Sequence, residues 1–198
     1  MGDNIELRSN IKDLELYSDT VPFRLSLKIE NFEDEKAYVQ FIRSCEKLVR
    51  ISLEYKQWKN YIIDVIGMNH CFITNELIDE VSIEVHHHVP SLYILIKTLI
   101  NKKIEEKEKF SSFDISDEAI RLHFMNKIGY ICLVKTLHEK FHNGFLTIPQ
   151  SLIKGDYKYF IEKYSKYIED SDLQLIQQRL SINESNCTWS KDDYRKIA

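Results

Sequence analysis

At 198 residues, with 43% hydrophobic and 12% aromatic content, the chain can bury one sizeable core and carries no signature of intrinsic disorder. Five glycines and three prolines are few, which argues against a turn-rich sandwich or barrel and favours long helices. The formal net charge of −4 gives no broad electrostatic case for nucleic acid, so binding of that kind would need local basic patches. Cys45, Cys71, Cys132 and Cys187 form no CxxC pair, which signals neither a disulfide framework nor a thiolate zinc knuckle and suits reduced thiols in a cytosolic setting. The N-terminus MGDNIELRSN has no apolar signal core, and Glu6 stands where a myristoylation motif needs Ser or Thr. No run of about 18 apolar residues is present to span a bilayer.

In chain order, residues 21–29 (VPFRLSLKI) alternate apolar and polar side chains and predict a half-buried strand. Between 33 and 65 the apolar residues recur at threes and fours, from Tyr38 to Ile63, which predicts one long amphipathic helix or two joined near 55–60. Its basic residues Arg43, Lys47, Arg50, Lys56 and Lys59 read as a solvated face. Gly67 and Asn69 mark a turn, after which 71–74 and 81–88 predict two short strands paired as a hairpin. Pro90 stops the second strand and Ser91 caps a helix that runs to about residue 104. Residues 111–114 read as a linker, and Ser116 opens a helix to about Asn126 that Gly129 ends. Residues 130–133 predict a strand, and 134–142 a helix stopped by Asn143 and Gly144. Pro149 starts a further helix, whose tyrosines read as core and interface rather than as stacking platforms for bases. One more helix, 173–180, precedes a polar tail.

Two histidine groups carry the candidate chemistry. In VSIEVHHHVPSL, period-two alternation places Ser82, Glu84 and His86 on one strand face and Val81, Ile83, Val85 and His87 on the other. Adjacent imidazoles aimed in opposite directions suit one metal ligand and one proton acceptor. In TLHEKFH, His138 and His142 stand four apart on a helix and can reach a single ion. Glu84 lies on the strand face of His86 and is expected to orient that ring. His70 and His123 read as structural or surface residues.

The order strand, His-His-x-x-Pro, connection, apolar strand, then a helix with His-x-x-x-His resembles the HNH superfamily of ββα-metal nucleases. The second half of the likeness is the stretch IGYICLVKTLHEKFHNG, and the chain's texture is similar to HNH-like proteins of tailed bacteriophages. The resemblance implies an α+β fold, mostly helical, with a small ββα-metal module carrying a short β-hairpin. It implies His86, His138 and His142 as the metal ligands, His88 as a bystander and His87 as general base, with Asn126 as a loose substitute for the family's Asn, because Gly129 occupies that place. It also implies a divalent ion (Zn, Mn, Ni or Mg) offsetting charge on a scissile phosphate of DNA. Three imidazoles suit zinc or a later transition metal better than magnesium. The family's two CxxC knuckles are missing, since Cys71 pairs with Thr74 and Val134 with Leu137 at those places.

The expected organisation is an N-terminal strand and long helix (1–66), the HNH-like module with a helical insertion (67–145) and C-terminal helices (146–198), as one compact unit. Two functions follow. One is a metal-dependent endonuclease cutting DNA; the other is a catalytically inactive phage accessory or regulatory protein that binds protein or nucleic acid through its helical flanks. Either is expected in the cytoplasm, that of the host if phage-encoded, with no membrane association.

Overall fold

The computed structural model describes residues 32, 34–79 and 81–187; the strand expected at 21–29 and the end of the polar tail lie outside them. Among the described residues, seven α-helices surround a two-stranded antiparallel ribbon, an α+β arrangement dominated by helix.

Helix α1 (Glu35–Ile51) begins where Asp34 accepts a hydrogen bond from the Ala37 amide, and it buries Phe41, Ile42, Cys45, Leu48 and Val49 at helical spacing. It does not continue through residue 65. Ser52 is extended (ψ 150°), and its hydroxyl oxygen accepts from the Tyr55 amide at 3.1 Å, starting α2 (Leu53–Asn60). The break thus comes three residues before the expected 55–60 joint, because serine competes for the backbone groups that would propagate the helix. A π-turn, Tyr61–Val65, leads to Gly67 at φ +78°.

The expected hairpin is absent from the described residues. Residues 71–76 close on themselves instead: the Asn75 amide donates to the Cys71 carbonyl, the Cys71 amide to the Glu76 carbonyl, and Asn75 takes φ +64°. Strand β1 (Ile83–Val89) pairs instead with β2 (Gly129–Val134), Ile83 opposite Val134 and His87 opposite Tyr130, with a bulge between His87 and Val89. Between the strands lie α3 (Leu92–Glu105), capped by Ser91, and α4 (Ser112–Phe124). Residues 111–114 are no linker. Ser111 and Asp114 cap each other reciprocally, the Asp114 amide donating to the Ser111 hydroxyl and the Ser111 amide to the Asp114 carboxylate, so α4 starts four residues before Ser116.

Helix α5 (Lys135–His142) follows β2 directly. A 3-10 turn (Gln150–Leu152) replaces the helix expected at Pro149, and α6 (Tyr157–Tyr164) and α7 (Asp170–Leu180) complete the chain described.

The ribbon divides the apolar interior. Tyr130 and Cys132 face the larger core, built with Trp58, Ile62, Leu95, Leu99, Ile115 and Phe160. Ile131 and Leu133 face a smaller one with Cys71, Ile73, Leu137, Leu146 and Ile148. All six β2 residues are buried, as a strand covered on both faces must be. Whatever β1 presents on one face therefore meets the large core, and whatever it presents on the other meets α5.

Candidate functional site

The alternation along β1 separates the three consecutive histidines. His86 and His88 share the α5 side, their rings 5.8 Å apart, while His87 points into the large core. On the α5 side, the His86 ring lies 4.9 Å from that of His138 and 5.1 Å from that of His142. One turn of helix brings His138 Nε2 and His142 Nε2 to 3.0 Å of each other. One ring nitrogen from each of His86, His138 and His142 falls within 4.8 Å of the other two, so the three residues expected as ligands do converge.

Their surroundings differ. His86 is 3% exposed and its Nε2 has no hydrogen-bond partner; burial pushes its pKa strongly down, and neighbouring imidazoles add to the effect. His138 is half-buried, and its Nδ1 pairs with the Glu84 carboxylate, which therefore orients the His138 ring and not, as expected, that of His86 on its own strand face. That contact leaves Nε2 as the free end of the His138 ring and aims it at His142. His142 is exposed, and partial desolvation together with His138 lowers its pKa. His88, although expected to be a bystander, is buried beside Phe141 at 5.1 Å, with both ring nitrogens unpartnered. Its carbonyl at the bulge accepts from Arg179 Nη1 of α7 at 2.7 Å.

His87 occupies a different environment. Its ring stacks 5.9 Å from Tyr55 and 6.3 Å from Trp58, and its Nε2 lies 2.7 Å from His123 Nε2. It is 6% exposed, enclosed in the core on the far side of the ribbon from His86, His88, His138 and His142. Asn126, the other expected catalytic residue, takes φ +57° at the end of α4, and its side-chain oxygen accepts from the Tyr130 hydroxyl at 3.1 Å. Tyr130 faces the large core, so Asn126 also belongs to that side. Gly129, in the place of the family's Asn, is packed against β1: a Cβ there would lie 2.6 Å from the Val89 carbonyl oxygen and 2.9 Å from Ile153 Cγ2. His123 was the residue whose role the sequence hid. A lone histidine on an amphipathic helix gives no sign of the strand histidine it will meet.

The arrangement is that of a small, largely helical protein with a two-stranded ribbon, a three-imidazole cluster on one side and a sealed histidine pair on the other. A family model described as bacteriophage G278-like virion protein matches residues 3–195, nearly the whole chain, and the chain belongs to that family. No curated protein and no solved structure matches. The family match overturns the HNH reading and with it the nuclease function: the likeness rested on histidine spacing over about a third of the chain, whereas the virion family accounts for both flanks as well. The buried His87 gives the physical side of the same correction, since a base must reach the water it deprotonates.

Proposed function

We propose that this chain is a structural component of a bacteriophage particle, acting through the protein surfaces it presents rather than by turnover. The observation that carries this reading is the match to the virion family over residues 3–195. The site chemistry is compatible with it: the imidazole best placed by sequence to act as a base serves as a buried core residue. The net charge of −4 favours protein neighbours over a nucleic-acid backbone.

The test is particle composition. Phage carrying this chain, banded on a density gradient and washed at high salt to strip loosely held proteins, should retain it at a fixed ratio to the major capsid or tail protein. Recovery of the chain in the soluble lysate, with none in banded particles, would overturn the proposal.

A further inference from the structure

We propose that His86, His138 and His142 form a binding site for a zinc-class divalent cation that fastens α5 to strand β1. This goes beyond the virion reading and does not depend on it. Two independent features point to a ligand. The first is convergence: three imidazoles from two elements more than fifty positions apart in sequence bring one nitrogen each to within 4.8 Å. The second is an unsatisfied atom, since His86 Nε2 is buried with no partner on this same face, where a polar nitrogen left bare is costly.

The donor chemistry selects the ion. Neutral imidazole nitrogens suit zinc and the later first-row metals, whereas magnesium and calcium want oxygen. Two nitrogens on a tetrahedral zinc stand about 3.3 Å apart, given bonds of roughly 2.0–2.1 Å. His138 Nε2 and His142 Nε2 stand 3.0 Å apart, near that spacing, and with the three donors within 4.8 Å of one another the set closes by a shift of at most about 1.5 Å.

Glu84 completes the logic. Its carboxylate accepts the hydrogen of His138 Nδ1, which fixes the tautomer and leaves the Nε2 lone pair free for the cation. Because Glu84 and His86 are two residues apart on one strand, the element that provides a ligand also orients the second ligand's ring. Three protein donors leave the fourth position to water on the side where His142 is exposed.

The attachment has a physical use. Helix α5 has only eight residues, and Leu137 is its one fully buried side chain, so it is short for independent stability and gains from a crosslink to the ribbon.

The experiment uses untagged full-length chain, stripped with a chelator and titrated with Co2+, with Zn2+ added in competition. Wild type should take up one Co2+ per chain, with the intense visible bands of four-coordinate cobalt that Zn2+ abolishes, and Zn2+ should raise its melting temperature. His142→Ala, at an exposed position, should lose the bands while keeping the metal-free melting temperature. Glu84→Gln should weaken Zn2+ binding by about 10- to 100-fold. His70→Ala, outside the cluster, should bind like wild type. Absence of Co2+ and Zn2+ uptake by wild type, or equal affinity in wild type and His142→Ala, would overturn the site.

Discussion

His87 Nε2 and His123 Nε2 lie 2.7 Å apart inside the large core, and the other end of the second ring decides which of them donates. His123 Nδ1 is 2.6 Å from the Ala119 carbonyl oxygen, which can only accept, so that nitrogen carries the hydrogen. In the neutral ring Nε2 is then the acceptor, and His87 donates to it from its own Nε2. Strand β1 and helix α4 are thereby joined by one directed bond between two rings, enclosed by Tyr55 and Trp58.

Removing either partner leaves the other ring's nitrogen buried and unpaired. His87→Leu and His123→Leu are each expected to cost about 1–3 kcal/mol from the orphaned group, before any packing change. The double variant should cost less than the two singles together, because no polar atom is then stranded. Urea unfolding of all four proteins gives the coupling directly, and strictly additive losses would refute the directed bond.

The same pair makes the fold sensitive to acid. Burial holds the His123 pKa down to about 4 and that of His87 well below its ordinary value; the neighbouring His123 ring and the charges of Arg50 and Lys59 act on His87 in the same direction. In the unfolded chain both rings protonate near 6.5, so below that pH the unfolded state binds more protons than the folded one. Stability is therefore complete above about pH 6.5 and falls as the pH drops towards 4, by roughly 1.4 kcal/mol per pH unit for each imidazole kept neutral. The double leucine variant should show a shallower fall. An unchanged slope between about pH 7 and pH 5 would show that the pair does not govern it.

Gly129 is expected to resist substitution for a reason of space alone. With the Val89 carbonyl oxygen 2.6 Å and Ile153 Cγ2 2.9 Å from a notional Cβ, Gly129→Ala must push β2 away from the β1 bulge. The expected loss is about 1–3 kcal/mol, as for overpacking elsewhere. Gly129→Asn should be worse still and gain no nuclease activity on plasmid DNA. Thermal melting that matches wild type for the alanine variant would show that the strands have room to part.

What could be read from sequence followed the reach of each signal. Periodicity within one element found the helices around 92–105 and 135–142, the opposite facing of His86 and His87, and the shared face of His138 and His142, because those facts are local. Pairing is not local. Proximity in sequence predicts residues 71–74 as the hairpin mate of β1, yet the mate is 129–134, reached after two helices whose apolar faces pack beside the ribbon. The Ser111 and Asp114 cap is present in the sequence but reads equally as a loop, since serine and aspartate serve turns and helix starts alike. Function was the least legible: four histidines in nuclease order carry no information about burial, and burial is what separates His87 from a base.

Arg179 supplies the remaining prediction, about what holds the C-terminal helix in place. Its Nη1 donates to the His88 carbonyl at 2.7 Å, at the bulge where the regular ladder leaves that oxygen available. Its guanidinium also stands 5.5 Å from the centre of the Phe141 ring, so one side chain of α7 touches both β1 and α5. Burial lowers its pKa without threatening its charge, because arginine starts far above neutrality. A charged donor bonded to a carbonyl is worth about 1.5–3 kcal/mol, and the ring contact adds roughly 0.5–2 kcal/mol when desolvated. Arg179→Ala should therefore lose a few kcal/mol in urea unfolding, and Arg179→Lys should recover little, since an ammonium on a shorter stem cannot meet carbonyl and ring together. Hydrogen exchange localises the effect: amides of Asp170–Leu180 and Lys135–His142 should lose protection ahead of those in α1. Uniform loss across all helices would mean that Arg179 contributes to global stability without anchoring the C-terminal helix to the ribbon.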